Sequence, residues 1–127
     1  MPENEFFSIH TSLLLEECIL LKKVLTGLVE ENLYLKNKLS ENLQKGFSGT
    51  HLEKFEHIQN QLIQNDHFFN ALGKDTHELE VLLQRNLSED QFVHKVLRDK
   101  VHGLKHKIIE GESSLTGLKR DFDACFQ

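Results

Sequence analysis

At 127 residues the chain is long enough for one domain and too short for two ordinary ones, so positions 1–127 are read as a single helical-bundle domain. Its one proline stands at position 2 and it has no tryptophan, which leaves every interior segment free to be helical and makes an all-α fold the economical reading. The formal net charge is −5, with 15 Lys and Arg scattered among 20 Asp and Glu, a balance that disfavours a phosphate backbone and excludes nucleic acid as the expected partner.

The opening Met1-Pro2-Glu3-Asn4-Glu5 is acidic where a secretory signal is basic, and the apolar stretch behind it is broken by Glu16, Glu17, Lys22 and Lys23. Neither export nor membrane spanning is expected, and a cytoplasmic location follows. Cys18 and Cys125 both fall on core positions of their helices, where a reduced thiol behaves as a small hydrophobe. Helical rise sets them roughly 40 Å apart if the first and third helices run parallel, beyond disulfide reach.

Helix 1 is expected from about 6 to 44. Phe7, Leu14, Leu21, Leu28 and Leu35 form one heptad row, and Thr11, Cys18, Leu25, Asn32 and Leu39 form the other. Such a seam resembles a leucine zipper. Leu13, Leu15, Ile19, Leu20, Val24, Val29, Leu33 and Tyr34 lie outside it, so the helix is apolar over a wider arc than one neighbour requires. Leu13, Ile19, Leu20, Leu33 and Tyr34 are the candidate interface residues; the alternative is that helix 3 covers them.

A break follows at Lys45-Gly46-Phe47-Ser48-Gly49-Thr50, and Thr50 with Glu53 fits a capping box. Helix 2, about 51 to 86, carries Phe55, Leu62, Phe69, Thr76 and Leu83 on one row and Ile58, Asn65, Leu72, Leu79 and Asn86 on the other. Ser88 with Gln91 makes a second box, Leu87 with Phe92 a hydrophobic staple, and Glu89 and Asp90 suit a positive helix end. Helix 3, about 89 to 126, runs through Leu97, Val101, Leu104, Ile108, Gly111, Leu115, Leu118, Phe122 and Cys125 at alternating four and three.

Antiparallel neighbours joined by a short turn pair positions whose numbers sum to a constant. For helices 1 and 2 that constant is 97, which joins Leu39 to Ile58, Leu35 to Leu62, Asn32 to Asn65, Leu28 to Phe69, Leu25 to Leu72, Cys18 to Leu79 and Leu14 to Leu83. The expected architecture is an elongated up-down-up three-helix bundle with coiled-coil-like heptad packing. Asn32 and Asn65 form its candidate core polar layer, loosely filled and level with Ile108 or beside Gly111. A buried Asn at a heptad position costs stability but demands a hydrogen-bonding mate and so fixes register.

Chemistry-bearing patterns are few. Of eight histidines, His102 and His106 are one helical turn apart, a chelating spacing, but both lie off the seam and no Glu-x-x-His pairs accompany them, so no metal is assigned. Val101-His102-Gly103-Leu104-Lys105 resembles the His-x-Leu-Lys core of histidine phosphotransfer domains. The resemblance implies His102 as phosphoacceptor and Lys105 as the support for its charge. It covers five residues: His106 stands where that family has glycine, Lys107, Ile108 and Ile109 stand where it needs small residues, and its bundle has four helices.

No catalytic triad, phosphate loop or cofactor motif is found, so no catalytic residue, no cofactor and no small-molecule substrate are expected. The reading is of a protein that acts by protein–protein interaction or self-association, with a homodimer favoured and phosphotransfer signalling as the alternative.

Overall fold

The computed structural model describes residues 2–46, 52–85 and 91–126, with side chains in the first helix from Ile9 onward. It is an all-α bundle of α1 (Pro2–Gln44), α2 (Leu52–Arg85) and α3 (Gln91–Phe126), and each helix packs on both others. Helix α1 begins at Pro2 rather than near residue 6, because proline is tolerated in a first turn, where its missing N–H has no intrahelical acceptor to lose. The helix ends at Gln44, and two residues on the chain turns away at Gly46, whose φ of 85° is open to glycine without the Cβ penalty other residues meet. Lys45 and Gly46 donate their N–H groups to the Asn42 and Leu43 carbonyls at 3.2 and 3.1 Å, tightening the last turn and satisfying two carbonyls that the helix itself leaves open. The capping boxes at Thr50 and Ser88, the staple of Leu87, and Glu89 and Asp90 lie outside the described residues.

The buried positions are those of the heptad rows. Leu14, Cys18, Leu21, Leu25, Leu28, Leu35 and Leu39 of α1 join one apolar cluster with Phe55, Ile58, Leu62, Phe69, Leu72, Leu79 and Leu83 of α2 and with Leu97, Val101, Leu104, Ile108, Leu115, Leu118 and Phe122 of α3. At about 25 cal/mol per Å² of apolar surface removed from water, this cluster supplies the main drive to fold. The α1–α2 register agrees with the expected antiparallel pairing, since Asn65 donates to Asn32 and Leu25 lies against Gly73.

Ion pairs set the third helix. Lys105 reaches Glu17 at 3.6 Å and Lys119 reaches Glu31 at 3.5 Å, the same 88-residue offset in each, so α1 and α3 run parallel. Backbones at one level differ by 83, as in the Thr11–His94 contact, which places Cys125 level with residue 42, roughly 36 Å from Cys18 at 1.5 Å per residue. The separation is close to the expected 40 Å and far outside disulfide reach, and neither cysteine forms a disulfide. Cys125 is also only half-buried, because α3 ends one residue later and the core thins toward its end.

Gly111 decides how α2 meets α3. A Cβ at this position would lie 2.8 Å from Cε1 of Phe69 and 3.2 Å from Cε1 of Phe68, so the glycine is what allows the Phe69 ring to sit against the α3 backbone. Level with Asn65, one turn away from Phe69, α3 therefore presents Leu115, which is buried. The polar layer is not level with Ile108; it lies between Gly111, with which Asn65 lines one recess, and Leu115.

Opposite signs are expected from two glycine substitutions. Gly111→Ala should lower stability, because overpacking of roughly 1–3 kcal/mol exceeds the helix-propensity gain of about 1 kcal/mol. Gly103→Ala, with nothing within 4 Å of its Cβ position, should raise stability by up to about 1 kcal/mol. Thermal unfolding followed by circular dichroism distinguishes the two.

Candidate functional site: a buried polar layer and an apolar outer face

The polar layer forms on α1 and α2. Asn32 is fully buried and Asn65 nearly so. The Asn32 amide donates to the Leu62 carbonyl at 3.1 Å and to Oδ1 of Asp66 at 2.7 Å. Its own oxygen accepts from Nδ2 of Asn65 at 3.2 Å. Both donors and the acceptor are thus used, which is what makes a buried amide tolerable. Lys36, one turn along α1 from Asn32, pairs with the other oxygen of Asp66 at the rim.

Sequence reasoning brought the two asparagines together and missed Asp66 and Lys36. The signal was available: Asp66 follows Asn65, and Lys36 lies four residues after Asn32 on the flank facing α2. Every polar atom of Asn32 finds its partner inside the chain, so the layer presents a register device rather than an open binding site. A recess of about 400 Å³ beside it, lined by Asn65, Phe68, Gly111 and Ser114, is open and shallow.

Two further buried polar groups lie toward the other end. Thr76 donates its hydroxyl to the Leu72 carbonyl at 2.6 Å, and the Cys18 thiol points at the Thr76 carbonyl at 3.5 Å. Burial raises the Cys18 thiol above its ordinary range; Glu80 pushes the same way and Lys22 opposes. A neutral, inaccessible thiol is a poor nucleophile. His94 is buried, with Nδ1 3.4 Å from the Thr11 hydroxyl and its ring 6.2 Å from that of His10. It went unnoticed in the sequence although it extends the α3 seam back by three residues from Leu97.

His102 and His106 are exposed. His106 pairs with Glu110 on its own helix at 3.0 Å, and no group of three His, Cys, Asp or Glu among the described residues could hold a metal ion. Lys105, the residue that the phosphotransfer resemblance assigns to support His102, is instead paired with Glu17.

The five candidate interface residues all face outward: Leu13, Leu20, Leu33 and Tyr34 are more than half exposed, and Ile19 is 37% exposed. Helix α3 does not cover them. It meets α1 along the flank of Glu17 and Glu31, while α2 takes the opposite flank through Lys22 and Lys36. What remains is the face of α1 turned away from the core. Among the described residues α1 carries nine of the fifteen large exposed hydrophobics, against four on α2 and two on α3, so the excess belongs to one helix.

The fold therefore defines the chain as a three-helix bundle with one apolar outer face. No protein-family model, curated protein or solved structure matches it. No described helix is long and apolar enough to cross a membrane.

Removing one side of the amide pair should cost more than removing both. Asn32→Ala strands the Asn65 amide in the core and is expected to cost about 1–3 kcal/mol, whereas Asn32→Leu with Asn65→Leu should be near neutral or stabilising and lose uniqueness of register. Urea unfolding gives the energies, and the sharpness of the amide NMR spectrum reports the register. Thiol labelling gives an independent check on burial: Cys125 should react with a disulfide reagent in the folded chain, and Cys18 only at the rate of unfolding.

Proposed function

We propose that this chain is a cytoplasmic interaction protein that binds another protein surface through the outer face of α1, and that it works by docking rather than by catalysis. The observation that carries this reading is the exposure of Leu13, Ile19, Leu20, Leu33 and Tyr34 on a helix whose core seam is already fully occupied by α2 and α3. Large apolar side chains gathered on one exposed helix face are costly to leave in water and typically mark an interface. Along α1 it runs from Leu13 to Tyr34, roughly 30 Å at 1.5 Å per residue, a length suited to one packed helix.

The histidine phosphotransfer reading has less in its favour. His102 is exposed, as a phosphoacceptor must be, but Lys105 is committed to Glu17, and the bundle has three helices among the described residues.

The test is the double variant Leu20→Glu/Tyr34→Glu. Both side chains are exposed, so helicity and thermal midpoint should stay close to wild type, with a cost within about 0.5 kcal/mol per site. Association, measured as self-association by light scattering and as retention of partners on an affinity column, should fall. If wild type and variant behave alike in both assays, the outer face is not an interface.

A further inference from the structure

The outer face has an internal symmetry that indicates its occupant. Two rows with a seven-residue repeat run along it, Leu13-Leu20-Gly27-Tyr34 and Ile19-Thr26-Leu33, flanking a middle row of Glu16, Lys23, Glu30 and Asn37. Its centre is small. Gly27 is exposed with nothing within 4 Å of its Cβ position, so no contact inside the chain accounts for a residue that costs a mid-helix position about 1 kcal/mol against Ala. Gly103 and Gly117 share that openness, but Gly27 alone sits midway along an apolar face. Beside it, Thr26 ties its hydroxyl back to the Lys22 carbonyl at 3.0 Å and so brings no unpaired donor to the surface.

From this pattern we infer that the occupant is a second copy of the chain, its α1 packed antiparallel on this one about a two-fold axis at Thr26-Gly27. The inference rests on the outer-face reading above and specifies the partner. A two-fold axis there keeps each row opposite itself. Leu20 meets Tyr34 of the second copy on one row, and Ile19 meets Leu33 on the other. On the middle row Lys23 faces Glu30 of the second copy and Glu30 faces its Lys23. Gly27 and Thr26 each meet themselves on the axis, where small side chains let two helices approach closely.

Charge selects this direction. A parallel pair in register would set Lys23 against Lys23 and Glu30 against Glu30, whereas the antiparallel pair turns both contacts into attractions. Lys23 and Glu30 are available for the purpose: neither has a charged residue three or four places away on α1, and neither makes an ion pair with the other helices among the described residues. Each can be reversed without disturbing the bundle.

Sedimentation equilibrium over micromolar to hundred-micromolar concentrations tests the pairing with four chains: wild type, Lys23→Glu, Glu30→Lys and the double reversal. The wild type should be a dimer. Each single reversal should raise its Kd by roughly tenfold or more, and the double reversal should bring it back to near the wild-type value. A dimer indifferent to the reversals overturns the antiparallel pairing; if Leu20→Glu/Tyr34→Glu still dissociates it, the outer-face reading survives, and if not, both fall. A wild type monomeric throughout overturns the second copy as occupant, and the column comparison then decides the outer-face reading by itself.

Discussion

The arrangement depends on how α1 and α2 are held in register, and that is settled by two buried amides. Hydrophobic rows alone tolerate sliding, since a shift of one heptad returns leucine to leucine and the apolar area changes little. The Asn32–Asn65 contact removes that freedom. A slipped pairing would leave both amides facing leucines, each without a partner in a medium where an unmet hydrogen bond costs a few kcal/mol. Asp66 strengthens the constraint by accepting the second Asn32 proton, and Lys36 balances its charge at the rim. Once α1 and α2 are set, the third helix follows from where Phe69 finds a gap in its backbone, which is at Gly111.

Helix α1 is consequently divided into faces with different tasks. Its seam is enclosed by the two other helices. Its flanks carry charges that reach across to them, Lys22 and Lys36 toward α2 and Glu17 and Glu31 toward α3. Most of these side chains are partly solvated, so their part is to orient the helices rather than to add much stability. The third face is uncovered and carries two apolar rows on either side of Glu16, Lys23, Glu30 and Asn37. A helix that uses all of its circumference is more often found in the middle of a larger assembly than at the edge of a small bundle.

Much of this was legible beforehand because heptad rows carry their own geometry. The alternation of three and four places residues on one stripe whatever the tertiary context, and the antiparallel sum rule then assigns neighbours, so the α1–α2 face and the meeting of Asn32 with Asn65 could be read directly. The phase of α3 could not. Its seam is regular, but the register depends on shape, on a ring fitting against a glycine, and linear spacing does not encode fit. The same limit applied to Asp66 and Lys36, whose roles depend on which flank of α1 faces α2. Cys125 was misjudged for a different reason, since a heptad position guarantees burial only while the neighbouring helices continue past it. At the outer face, residue types revealed the excess apolar area, and the structure was needed to show that α3 leaves it open.

An odd number of helices has one further consequence. With α1 and α3 parallel, the start of one and the end of the other lie at opposite ends of the rod, and the 83-residue offset of the Thr11–His94 contact puts Phe126 level with residue 43. Pro2 and Phe126 are thus separated by most of the bundle, roughly 62 Å at the helical rise. Anything joined to both would be held apart by a stiff strut of fixed length.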